Sequence, residues 1–156
     1  EFGNQLQEKQ KIKFSYSLSD KQLKRIFEEA AISGDSSIEA VTVALENRLD
    51  NIVMRLGFAE SRSIARQIVN HGHILVNDRK AKTPSYRLKV GDTVSIKPVS
   101  QNLLPFRELA LKLKKYEPPL WLSLDKEKLI GQMEALPRQV DLPFDLNLVV
   151  DYYSKK

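Results

Sequence analysis

The sequence predicts an α+β protein: a helical first part, then two short helices packed on a small, mainly antiparallel sheet. Three observations predict it. Apolar residues recur at helical spacing before Gly72. After Gly72 their period drops to two. The 156 residues, 42% of them hydrophobic, are enough to bury a core without disulfide or metal staples.

Residues 5–13 open polar and basic, with Lys9, Lys11 and Lys13. Ser19 and Gln22 form an S-x-x-Q capping box, and Leu18 and Leu23 sit where a hydrophobic staple would. Leu23, Ile26, Phe27, Ala30 and Ala31 then define a helix that Gly34 stops. Ser36 and Glu39 form a second capping box. The helix it opens carries Val41, Leu45, Leu49, Ile52 and Leu56 on one side and ends at Gly57, with Arg48, Asn51 and Arg55 on another side. Ser61 caps a third helix with Ile64, Ala65, Ile68 and Val69 inward, Arg62, Arg66 and Asn70 opposite, and Gly72 at its end.

Ile74–Val76 reads as a strand and Asn77-Asp78 as a turn. Tyr86, Leu88 and Val90 alternate with charged residues, Gly91-Asp92 turns the chain, and Val94 and Ile96 alternate again until Pro98. Residues 103–115 read as a helix with Phe106, Leu109, Ala110 and Leu113 inward, broken by Pro118-Pro119. Trp121–Leu124 and Leu129–Leu136 read as strands, the second with Leu129, Gly131, Met133 and Ala135 on one face. Leu148–Tyr153 is a final apolar segment that docks. The expected organisation is a helical domain over 1–47 with the tail 140–156 docked on it. The second domain spans 48–139, with its core at 48–98 and a helical and strand extension. There is no internal repeat.

The 25 Lys and Arg exceed the 20 Asp and Glu. The excess is local: residues 51–100 carry nine Lys and Arg against three Asp and Glu. Such a surface suits an anionic partner with a defined footprint. No cysteine is present, which excludes disulfides, a cysteine nucleophile and thiolate metal sites. No apolar run reaches the roughly 18–20 residues of a membrane span. The chain starts at Glu1 without a signal-peptide pattern, so a processed edge with something before it is expected.

The chemistry concentrates between Arg48 and Pro98. Arg48, Arg55, Arg62 and Arg66 fall on polar helix faces, and Ser61 with the free N–H groups at its helix start makes an anion site. Gln67, Asn70 and His71 add neutral hydrogen-bonding groups; Arg79, Lys80, Lys82, Arg87 and Lys89 decorate the sheet. Arginine forks suit phosphate oxygens, and amides suit sugar hydroxyls and base edges. This is the equipment for reading folded RNA by shape and backbone. The competing reading is a solvated surface, with the arginines paired to Glu60, Asp50 and Asp92.

RLDNIVMRLGFAESRSIARQIVNHGHILVND, followed by PSYRLKVGD, resembles the RNA-binding domain named after ribosomal protein S-four. EKQKIKFSYSLSDKQL resembles that family's helical first domain, and PPLWLSLDKEKL and LVVDYYSKK its C-terminal parts, so nearly the whole chain is covered in order. NHGHILVN and VVDYYSKK look most like the cyanobacterial or plastid branch. The resemblance implies an S-four-type fold and a structural rRNA-binding protein of the small ribosomal subunit. It implies no enzyme activity, cofactor, metal or membrane contact. The family binds a helix junction in the 5′ domain of small-subunit rRNA early in assembly. Its neighbours are proteins S-three and S-five at the region where mRNA enters, and it affects decoding accuracy. Ribosomes of a chloroplast stroma or a bacterial cytoplasm are the expected location.

The family's RNA contacts map onto Arg48, Arg55, Ser61, Arg62, Arg66, Gln67, Asn70 and His71, and Lys9, Lys11, Lys13 and Tyr16 match its basic first-domain segment. Tyr16 is the candidate for base stacking; Trp121 reads as packing. Ser33–Ser37 lacks the expected lysine and second glycine, and Met133–Val140 has only Arg138 where the family is often basic. These surfaces have lost RNA contact or face a protein. The family's further N-terminal segment, sometimes with zinc-binding cysteines, has no counterpart here. His71 and His73 flank Gly72, a spacing also open to a metal pair. Pseudouridine synthases and tyrosyl-tRNA synthetases that share the domain need catalytic domains longer than what lies outside 48–98. A free ribosome-associated quality-control factor is the other alternative; the terminal matches argue against it.

Overall fold

The computed structural model describes residues 2–33 and 37–154. Ser36, expected to cap a helix, and Gly34, expected to end one, lie outside the described residues. The chain forms two units: one runs to Glu46 and resumes at Pro137, the other spans Asn47–Leu136.

The first unit is built from α1 (Phe2–Ser15), α2 (Asp20–Ala31), α3 (Ser37–Glu46) and a last helix from the far end of the chain (Leu146–Ser154). The basic opening segment is thus helical. Ser19 and Gln22 complete the capping box of α2 in both directions. Ile12, Tyr16, Leu23, Ile26, Phe27, Val41, Leu45 and Val149 share one core, and the last helix closes it against the other three. The Tyr153 ring lies 5.1 Å from Phe27. Glu8 accepts the Asp145 amide at 2.8 Å, tying the approach to the last helix onto α1.

The expected single helix through Val41 and Leu56 is two. It breaks at Asn47-Arg48, where Arg48 is extended (φ −67, ψ 142), and resumes as α4 (Leu49–Arg55). The apolar spacing runs through the break because both pieces bury the residues it marks. The second unit then packs α4 and α5 (Arg62–Asn70) beside a five-stranded antiparallel sheet. Its strands are β1 (Ile74–Val76), β2 (Arg79–Lys80), β3 (Thr93–Ile96), β4 (Leu122–Asp125) and β5 (Ile130–Met133), in the order β2-β1-β3-β5-β4. Asn77 and Asp78 both take positive φ (51 and 64), the two-residue hairpin geometry that matches strand twist. Three elements differ from expectation. The Tyr86–Val90 alternation forms no named strand: only Leu88 is buried, while Tyr86 is 42% and Val90 55% exposed. The segment instead gives its backbone to the start of α4. Residues 103–115 form α6 (Leu104–Arg107), α7 (Leu109–Lys112) and a 3₁₀ turn (Leu113–Lys115), with Ala110 exposed. The 103–115 helix is interrupted at Glu108 (φ −111, ψ 16). Ala135 is exposed because β5 ends at Met133 and the Glu134 and Ala135 amides turn to the Trp121 carbonyl. Ile64, at the margin of the Ala65–Ile68–Val69 stripe of α5, also stays out. The last helix is α8. Among the described residues no helix is long and apolar enough to cross a membrane.

Two glycines set how closely the layers approach. Gly57, at φ +85, makes the turn after α4, where a Cβ would strike Leu113 and Tyr116. Gly131 brings β5 against α4, and a Cβ there would fall on the Leu56 side chain. Gly131→Ala is expected to lower stability by about 1–3 kcal/mol through overpacking. Urea denaturation checks this, and Leu56→Ala in the same chain should cost less than the sum of the two single changes.

Candidate nucleic-acid interface

A helix start leaves amide hydrogens without acceptors inside the helix. Arg48 gives α4 no side-chain cap. The chain supplies acceptors from residues 84–86 instead: Leu49 N–H donates to the Tyr86 carbonyl at 2.8 Å and Asp50 N–H to that of Pro84 at 3.1 Å. Leu88 N–H donates back to the Asn47 carbonyl, and Arg48 and Arg87 form an antiparallel bridge. The PSYRLKVGD segment is therefore a strap over the start of α4.

Beneath it lies a buried polar chain. The Arg48 guanidinium donates to both Asp50 oxygens, at 3.2 and 3.1 Å, and both side chains are almost wholly buried. Asp50 also accepts the Asn51 amide at 2.7 Å. Asn51, fully buried, accepts from Arg62 Nε at 2.9 Å. Arg48 thus leaves the set of arginines on an open face. It neutralises Asp50, whose carboxylate holds the Asn51 backbone N–H, while the Asn51 side-chain oxygen separately takes Arg62. Ser61 accepts the Ile64 amide, so its hydroxyl is engaged in capping α5. Arg55 is half-buried, and its carbonyl accepts the Tyr116 hydroxyl.

The other expected positions stand further out. Arg66 is partly exposed on α5, and Gln67, Asn70 and His71 are exposed towards its end. Arg79, Lys80 and Arg87 are exposed on and below the β1–β2 hairpin. Lys80 and Lys82 reach back over Gly72, with carbons 3.9 and 3.3 Å from where its Cβ would stand. These ammonium groups therefore lie by the C-terminal end of α5, a position the helix dipole favours. Lys82, outside the primary set read from the sequence, stands beside Lys80; its closeness to Gly72 follows from the hairpin, which spacing alone does not reveal. Arg79, Lys80 and Lys82 line one groove with Asn77 and Tyr86.

His73 is not part of this face. Its Nδ1 is hydrogen-bonded to Ser100 at 2.8 Å and its ring meets Phe106 edge-on at 5.5 Å. The imidazole is held below its ordinary value, first by burial, then by His71 and Lys97. It joins the end of α5 to the segment after β3, and the two histidine rings stand 6.3 Å apart. Among the described residues no group of three or more His, Asp or Glu gathers as metal ligands would.

In the first unit, the basic segment is largely paired within the protein. Lys9 and Lys13 meet Asp20 at 3.0 and 3.1 Å, and Lys11 meets Glu8 at 2.8 Å. Lys9 is nearly buried, with its ammonium over the Tyr152 ring. Asp20 is held below the usual carboxylate range by Lys9 and then Lys13. Tyr16 departs most from expectation: it is 1% exposed and donates its hydroxyl to the buried Glu46, so its ring is core and has no face to offer a base.

Comparisons with known proteins fall along the same division. The family described as "S4 domain" matches residues 47–94, and "Ribosomal protein S4/S9 N-terminal domain" matches residues 1–46. The chain is 45% identical over 157 residues to the small ribosomal subunit protein uS4 of Geobacillus sp. (strain WCH70), covering 99% of this chain and 78% of the relative. The same-named protein of Chloroflexus aurantiacus is 43% identical over 159 residues, covering 99% and 77%. That of Fusobacterium nucleatum subsp. nucleatum is 45% identical over 161 residues, covering 99% and 79%.

Asp50→Ala is expected to cost about 3–5 kcal/mol, since it leaves Arg48 buried without its counter-charge; chemical denaturation measures it. His73 should titrate below the ordinary imidazole midpoint of about 6.5 in NMR. The sign follows from the lowered value: the contribution of neutral His73 is complete above that midpoint and is lost as pH falls through it towards the folded-state value. His73→Phe should flatten that part of the stability profile.

Proposed function

Since the chain belongs to the small ribosomal subunit protein uS4 family, we propose that it is a structural constituent of the small ribosomal subunit that binds rRNA through the exposed cations of its second unit. It acts by binding and is not an enzyme. The observation that carries this reading is the set Arg66, Arg79, Lys80 and Lys82. They stand within or beside the S4-domain match, and none is held in an ion pair among the described residues. Phosphate neutralisation supplies most of the affinity, and shape most of the specificity. Arg48, Asp50, Asn51 and Arg62 position the helices that carry the contacts.

The finer reading is a helix junction in the 5′ domain of small-subunit rRNA as the binding site, early in assembly. Proteins S-three and S-five are its neighbours near the path by which mRNA enters, with an effect on decoding accuracy; the family resemblance supports this. Lys9, Lys11 and Lys13 add a second contact if phosphate displaces Glu8 and Asp20, with Lys11 the most accessible of the three and Lys9 nearly buried. Around Arg138 the first unit has a groove that also holds Glu39, Asp141 and Asp145, a lining that favours a protein neighbour over RNA. The wording NHGHILVN and VVDYYSKK supports a cyanobacterial or plastid branch and so a chloroplast stroma or bacterial cytoplasm; the relatives named above are bacterial.

Titration against a 5′-domain transcript at several salt concentrations, with an unrelated structured RNA as competitor, tests the reading. Preferential, steeply salt-dependent binding is expected, and equal affinity for both RNAs counts against it. Arg66→Ala should weaken binding and reduce the salt slope by about one unit. Arg62→Ala should do the same and also lower stability, because the hydrogen bond from Arg62 to the buried Asn51 is lost. Glu60→Gln should bind as well as the parent or slightly better.

A further inference from the structure

The groove beside the β1–β2 hairpin has a volume of about 560 Å³ and is lined by Val76, Asn77, Arg79–Thr83 and Tyr86. No carboxylate lines it. Three cations stand along it, and Val76 and Ala81 add apolar surface. Tyr86 is the one aromatic ring in the lining, and it is 42% exposed. Its backbone is fixed at both ends: the amide donates to the Thr83 carbonyl and the carbonyl accepts from Leu49. The strap therefore presents a ring at a set position that the core does not consume. A half-exposed tyrosine alone means little. A half-exposed aromatic ring on a backbone held in this way, beside three cations that form no ion pair among the described residues, in a groove of ligand size, has a defined chemistry.

We infer that this groove receives one unpaired nucleotide of an RNA strand, its base stacked on the Tyr86 ring and its flanking phosphates met by Arg79, Lys80 and Lys82. The inference rests on the rRNA-binding reading and adds the form of the RNA at this point. A base within a duplex has both faces covered by its neighbours and cannot stack on a side chain, whereas a bulged or loop base can. Stacking is tolerant of base identity, so the groove selects an unstacked base by form rather than by sequence. Tyr86 takes the part that Tyr16, buried in the first unit, cannot.

The test compares the full chain with Tyr86→Phe and Tyr86→Leu against the 5′-domain transcript over a range of salt. Tyr86→Phe keeps the ring and should bind within about twofold of the parent. Tyr86→Leu should bind roughly 5- to 150-fold more weakly. Its salt slope should be unchanged, since no charge is lost; Lys82→Ala should reduce that slope. If Tyr86→Leu binds within twofold of a parent that still prefers the transcript over the unrelated RNA, the groove assignment is overturned and the function stands. If the parent shows no such preference, the function reading fails and takes the groove with it. Circular dichroism checks that Tyr86→Leu is folded. Should it not be, the parent chain is photo-crosslinked to a 4-thiouridine-substituted transcript and the product mapped. A crosslink from the Thr83–Arg87 peptide to an unpaired nucleotide supports the proposal, and crosslinks confined to other peptides or to paired nucleotides overturn it.

Discussion

The second unit depends on one constraint: the start of α4 is buried, and its amide hydrogens must find acceptors there. A buried donor without a partner costs about 1–3 kcal/mol, so this cannot be left open. The chain meets the need with the carbonyls of Pro84 and Tyr86, residues some 35 positions further on. Much else follows. The strap crosses the helix start, Arg48 leaves the helix to bridge Arg87, and its guanidinium turns inward onto Asp50. The Asp50 carboxylate also takes the Asn51 backbone N–H, and the Asn51 side-chain oxygen accepts from Arg62, which ties α5 to α4. Polar groups at helix starts usually face water; here they form an ordered interior joint.

The two units treat their cations in opposite ways. In the first, Lys9, Lys11 and Lys13 have carboxylate partners, and the Lys9 ammonium lies over the Tyr152 ring. In the second, Arg79, Lys80 and Lys82 gather along one groove without such partners among the described residues. Each of these pairs has one largely covered partner, so the first arrangement keeps its lysines against the protein. The second leaves repulsion among neighbouring charges unrelieved until an anion arrives. A surface of that kind is maintained at a small cost in folding and returns it in association.

Much of this was legible in the sequence. The Ser19–Gln22 box, strand Ile74–Val76, the Asn77-Asp78 turn and strand Thr93–Ile96 are local, and local chemistry decides them. The break at Arg48 was not legible, because Val41, Leu45, Leu49, Ile52 and Leu56 keep helical spacing across it and both pieces bury those residues. The strap was not legible for a related reason: the alternation at Tyr86, Leu88 and Val90 is also what an extended segment shows when one residue, Leu88, is buried and it forms no strand of the sheet. Of the site, the residue types and their rough place were legible. Which arginine is buried and which exposed was not, since that turns on Asp50, a carboxylate whose partner is set by tertiary structure. Tyr16 is core rather than a stacking face for the same reason: its ring's exposure is decided by helices distant in the sequence.

The first unit is assembled from two stretches of chain separated by about 90 residues, and the second unit is that whole intervening stretch. On a translating ribosome, where chains lengthen by about 5–20 residues per second, this arrangement imposes a schedule. The second unit has all its parts once Leu136 has emerged and can close at once. The first must wait for α8, with the apolar sides of Ile12, Leu23, Phe27 and Leu45 lacking their last cover for roughly 5–20 seconds. Helices α1–α3, though synthesised before the second unit, are completed after it, and in that interval they are exposed to chaperones or to misassociation.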